Sequence, residues 1–143
     1  MTSFSCCVWD DQGICWTGGA NSLVYKWGPD RKCMGTVNVH SKGFVCAITF
    51  GRESLLSGGK DGCVVEIDRK TLSARRRWSL DTLIRSIDVA SCGILAGCRN
   101  GNIMELKHQE GEINKCFMSS HCEGEVWGLE YMNGNIITSG DDD

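Results

Sequence analysis

Three residues have the types of an acyl-transfer triad: His40, Ser57 and Asp61. A Ser hydroxyl activated by an imidazole that a carboxylate orients is serine-hydrolase chemistry, and that is one reading of the set. The other is structural. A buried imidazole, hydroxyl and carboxylate can satisfy one another's hydrogen bonds and pin a turn. Recurrence separates the two readings. His121, Thr138 and Asp142 repeat the set 81 residues further on, which a single catalytic site has no reason to do. Between the two copies the members are lost together: Leu80 or Asp81 stands near the His position, and Ala96 and Asn100 replace Ser and Asp. No G-x-S-x-G elbow surrounds Ser57. The structural reading is preferred, and no catalytic residue is expected.

Other motifs resolve in the same direction. Gly58-Gly59-Lys60-Asp61-Gly62 lacks the phosphate-loop spacing and is followed by a strand-like run, so it reads as a hairpin turn. Arg75-Arg76-Arg77-Trp78 is the densest basic run. Alternation along a strand would send its guanidinium groups to opposite faces, so it reads as a solvated strand start. The ten cysteines include no C-x-x-C pair. Cys92 and Cys98, like Cys116 and Cys122 beside His121, are spaced more widely than zinc ligands usually are. Neither metal nor cofactor is expected. Several cysteines fall where the repeat otherwise holds Val or Ala, and they read as small apolar residues.

The elements that must position these residues come from an internal repeat. Gly18 and Gly58 stand 40 apart, and Gly58 and Gly97 stand 39 apart, within Trp16–Asn21, Leu56–Asp61 and Leu95–Asn100. Ile137–Asp142 is a fourth copy. Each copy divides into short runs rich in β-branched residues, with Asp61-Gly62 as a tight-turn dipeptide. Four antiparallel strands per roughly 40 residues is the pattern of a WD40 propeller blade. The expected fold is all-β: WD40-type blades in an incomplete ring of about three to four. The expected blades are 1–29 (incomplete), 30–70, 71–109 and 110–143 (incomplete), with Lys32–Val39 as the inner strand of the second. The set His40, Ser57, Asp61, His121, Thr138 and Asp142 then becomes the hydrogen-bond network of such blades.

The 143 residues carry a net charge of −3 and a pI near 5.6, so no basic field recruits nucleic acid or an anionic membrane. Met1–Asp11 has no Lys or Arg and little apolar length, unlike a secretion signal, and no segment approaches the ~20 apolar residues of a membrane span. Reduced thiols and a cytoplasmic location are expected.

His40–Val45, Leu55–Asp61 and His121–Leu129 resemble, in order and spacing, the first propeller of the echinoderm microtubule-associated protein-like family, including its divergent blade between two regular ones. The resemblance implies a cytoskeletal, microtubule-associated scaffold with tubulin as partner. The loops expected on one rim mix charges, and Arg31, Arg52, Arg69 and Glu112 are the expected partner contacts there. The alternatives are a WD40 adaptor of another pathway and a Ser-His-Asp hydrolase. Fewer blades than a usual ring leave strand edges open. A longer chain, or a homodimer joined through those edges, would cover them.

Overall fold

The computed structural model describes residues 2–91, 93–107, 113–119 and 124–141, and among them every regular element is a strand. The first sheet holds β1 (Phe4–Trp9), β2 (Cys15–Gly19), β3 (Leu23–Trp27) and β4 (Cys33–Asn38). The second holds β5 (Val45–Phe50), β6 (Ser54–Gly59), β7 (Cys63–Asp68) and β8 (Ala74–Ser79). The third holds β9 (Ile84–Val89), β10 (Ile94–Cys98), β11 (Asn102–Leu106) and β12 (Ile113–Ser119). A hairpin of β13 (Gly128–Met132) and β14 (Asn135–Ser139) follows. Neighbouring strands are antiparallel, and β1, β5, β9 and β13 lie against one another in succession as an inner row. The class is all-β, and the sheets do not close into a ring.

One strand per sheet sits elsewhere than expected. Lys32–Val39 was expected to open the second blade from inside, but β4 pairs with β3 as the outer strand of the first sheet. By the same shift β8 closes the second sheet and β12 the third. The sheets therefore span 4–38, 45–79 and 84–119, one strand out of step with repeat boundaries at 30, 71 and 110. The cause is turn geometry. Gly28 N–H donates to the Lys32 carbonyl at 2.9 Å, and Arg31 adopts φ 63°, so the chain folds straight back onto β3. Asp68 N–H to Ser73 O, at 2.9 Å, closes the equivalent turn before β8.

The core lies between sheets rather than on one face of each. Leu55, Val65 and Ile67 pack with Trp16, Val24 and Val45 between the first and second sheets. Leu56, Val64 and Trp78 pack with Ile84, Ile94 and Leu106 between the second and third. Leu95, Ile103 and Val126 join the third sheet to the hairpin. Middle strands are therefore covered on both faces, and β6 is buried at all six positions. That explains its apolar-small composition without polar alternation. The central glycines set the sheet spacing. A Cβ on Gly18 would lie 2.8 Å from Val45, one on Gly58 2.6 Å from Ile84, and one on Gly97 2.8 Å from Val126. β5, β9 and the segment leading into β13 thus rest on the bare backbone of the sheet before them.

Candidate functional site

The second sheet brings His40, Ser57 and Asp61 together. His40 stands ahead of β5, Ser57 is in the middle of β6, and Asp61 is in the β6–β7 turn. His40 Nδ1 lies 2.9 Å from Asp61 Oδ1, and His40 Nε2 lies 3.0 Å from Ser57 Oγ. Asp61 also accepts from Ser41 N–H at 2.8 Å and Cys63 N–H at 3.2 Å. Gly59 permits this convergence, because a Cβ there would lie 2.3 Å from His40 Nδ1. The wiring is that of a hydrolase triad, but the access is not: Ser57 is 0% exposed and His40 3%.

Electrostatics follow from that burial. Desolvation pushes the His40 pKa below its ordinary value, overcoming the hydrogen bond and charge of Asp61; Arg77 adds to the lowering. Burial would raise the Asp61 pKa, but the Ser41 N–H, the His40 ring and the Cys63 N–H together hold it below the usual carboxylate value. Arg77, on β8, donates to the Val39 carbonyl at 2.5 Å and stands 4.0 Å from Asp61 Oδ2.

The other copies differ. Thr138 lies on β14 opposite Leu129, whereas His121 and Asp142 lie outside the described residues. In the first sheet Thr17 Oγ1 accepts from Trp27 Nε1 at 2.9 Å, and Asn21 donates to the Tyr25 hydroxyl at 2.8 Å. In the third, Ala96 is fully buried and Asn100 holds a turn through Asn102 N–H. Ile67 and Leu106 occupy the register position of Trp27 and are fully buried.

The expected rim residues do not converge. Arg31 is exposed in the β3–β4 turn. Arg52 borders a cleft of about 590 Å³ between the second and third sheets, whereas Arg69 borders one of about 410 Å³ between the first and second. Arg69 also stacks its guanidinium 5.3 Å from the Phe50 ring. Glu112 lies outside the described residues. The arginine run is divided among neighbours: Arg75 pairs with Asp68, Arg76 lies 3.6 Å from Glu66, and Arg77 turns to Val39. Among the described residues no three His, Cys, Asp or Glu side chains group as a metal site, and eight cysteines are free thiols.

A convergence that no sequence motif marks lies on the opposite rim. Three inner strands, β1, β5 and β9, are bulged near their starts, leaving Ser5, Cys46 and Arg85 without a cross-strand partner. These residues line one cleft of about 540 Å³ with Phe44, Lys60, Leu83, Arg99 and Trp127. A bulge re-aims one side chain while the strand continues, and here three bulges in register aim at a shared space. Arg85 stacks 4.1 Å from the Trp127 ring and pairs with Glu125, which Arg99 Nε also holds at 3.1 Å. The signal was present in the sequence only as position. Cys46, Arg85 and Trp127 each follow the residue that packs on a central glycine, namely Val45, Ile84 and Val126.

Comparison with known proteins gives the fold its name. No protein-family model matches the chain. It is 40% identical over 142 residues to the "Ciliary WD repeat-containing protein ctxp80" of Euplotoides octocarinatus, covering 99% of this chain and 19% of that protein. The chain thus spans about a fifth of the length of that relative. Among solved structures, the WD40 β-propeller domain of Doa1 superposes with a TM-score of 0.83 at 17% identity, covering 96% of this chain and 47% of that one. The computationally designed Ika4 protein superposes at 0.81 with 18% identity, covering 99% of this chain and 87% of that one. At such identities the shared property is the fold, and the chain is a set of WD40-type β-propeller blades.

Proposed function

We propose that the chain is a non-catalytic protein-interaction scaffold associated with microtubules or the wider cytoskeleton. The observation that carries the non-catalytic part is the sealing of Ser57. Its hydroxyl is committed to His40, the imidazole to Asp61, and neither Ser57 nor His40 presents more than 3% of its surface. A scissile carbonyl has no approach to a nucleophile so placed. The set instead fastens the start of β5 to the β6–β7 turn. What the surface offers is clefts between sheets, and these suit docking rather than chemistry. The cytoskeletal part is supported by the resemblance to the microtubule-associated family and by a relative named as ciliary.

Co-sedimentation with polymerised tubulin tests the cytoskeletal part. Pelleting above the background of the chain alone is the expected outcome, and no pelleting returns the reading to an adaptor of another pathway. A hydroxyl-directed covalent probe tests the other part. Ser57 is expected to stay unlabelled in the folded chain, and stoichiometric labelling would establish a hydrolase.

A further inference from the structure

The cleft onto which the three bulges open differs from the rest of the molecule in charge. Lys60, Arg85 and Arg99 line it with no acidic residue among its described lining, and the described carboxylates beside it, Glu125 and Asp61, are already engaged, in a chain whose net charge is −3. Glu125 indicates the preference of the two guanidinium groups: each directs its Nε to a carboxylate oxygen. Lys60 has no acidic partner among the described residues, being next in sequence to Asp61, whose carboxylate is taken up by His40, Ser41 and Cys63. Two aromatic rings flank the cations: Phe44 is 44% exposed and Trp127 50%. Exposed aromatic surface thus lies beside three cations, of which Arg85 and Arg99 share a single carboxylate.

We propose that this cleft is the docking site of an acidic peptide segment of a partner protein. Its carboxylates bind Lys60 and the outer faces of Arg85 and Arg99, and an apolar residue between them packs against Phe44 and Trp127. The proposal deepens the scaffold reading and rests on it. Stacking on Trp127 holds the Arg85 guanidinium in place, so less side-chain freedom is lost when a second carboxylate arrives. The expected rim of Arg31, Arg52 and Arg69 has no comparable convergence, because Arg52 and Arg69 border separate clefts.

The test uses the whole chain and a short synthetic peptide alternating Glu and Phe, with a Gln-for-Glu version as its neutral counterpart. Titration followed by tryptophan fluorescence is expected to show the acidic peptide binding about tenfold tighter than the neutral one, with an affinity that falls as salt rises. Lys60→Glu and Arg99→Glu, both at exposed positions, are each expected to remove most of that difference. Equal binding of the two peptides overturns the proposal, as does undiminished binding by both variants. Tighter binding of polyuridylate than of the acidic peptide overturns it in favour of a nucleic-acid surface. Tubulin co-sedimentation run on the same samples keeps the two readings apart. Pelleting without peptide binding fails this cleft alone, and labelling at Ser57 fails the scaffold reading whatever the peptide does.

Discussion

The Ser57 hydroxyl lies 3.0 Å from His40 Nε2, and neither group reaches solvent. Because water cannot replace a lost partner there, the pair is a stability element whose removal is measurable. His40→Ala leaves the Ser57 hydroxyl without a described partner and Asp61 without its imidazole. A loss of about 3 kcal/mol is expected, read as a lowered urea midpoint with an unchanged slope. Ser57→Ala removes the hydroxyl itself and is expected to cost about 1 kcal/mol. The double variant should cost less than the sum, since both changes delete the same bond.

Acid sensitivity follows from the same residues. Folded His40 has a pKa below the ordinary 6.5, so around and below that pH the unfolded chain binds a proton that the folded chain refuses. Its effect on stability is absent well above pH 6.5, and stability is lost as pH falls through that value. Asp61, held below its ordinary 3.8, removes further stability as pH falls below that value. The urea midpoint should therefore drop between about pH 7.5 and pH 5.5, where His40 is the group concerned. In His40→Gln the starting midpoint is expected to be lower and the drop smaller. An equal drop in both proteins would assign the acid response elsewhere.

Sheet spacing gives a steric prediction. Gly58→Ala would place a methyl group 2.6 Å from Ile84 Cγ2 and 2.7 Å from Ile87 Cδ1. The second and third sheets must part to admit it, at an expected cost of about 2 kcal/mol. Gly134→Ala, in the β13–β14 turn with nothing within 4 Å, is the control. It should lose about 1 kcal/mol through its φ of +82° alone. Thermal unfolding of the two variants side by side checks the order.

Thiol reactivity should divide by location. Burial pushes the Cys98 pKa up to about 12 and that of Cys6 to about 11, so neither forms thiolate near neutrality. Cys7, Cys33 and Cys116 are exposed. Mass mapping after brief alkylation at pH 8 is expected to find label on the exposed three and none on Cys98 until urea is added. Prompt modification of Cys98 would show that the third sheet opens readily.

How much of this could be read in the residues depends on what repeats. The offsets linking Gly18, Gly58 and Gly97 gave the strand count, and the recurrence of His, Ser and Asp types paired His40 with Ser57 and Asp61 before any distance was known. The sheet limits were misread because β4 has no pattern that names its partner. Val37 and Val39 are apolar on either assignment, and only the Gly28–Lys32 turn decides which strand receives them. The cationic cleft escaped notice for another reason. Phe44, Lys60, Arg85, Arg99 and Trp127 form no motif, are scattered over more than half the chain, and meet through strand ends, turns and the bulge that displaces Arg85. Pairing registers carry that information, whereas residue types do not.

The one-strand stagger between repeat and sheet also bears on how such a chain grows and shrinks. A duplicated stretch beginning at the strand of residues 33–38 carries the outer strand of one sheet and three strands of the next. Each added unit therefore arrives already laced to its predecessor, like brick courses with overlapping joints, and no seam falls between units. Deleting one such stretch leaves the remaining sheets able to re-pair with a full complement of strands. Changes in copy number are thus gentler on this architecture than cuts at the visible sheet boundaries, and a lineage could alter the size of its propeller by whole units while keeping every sheet intact.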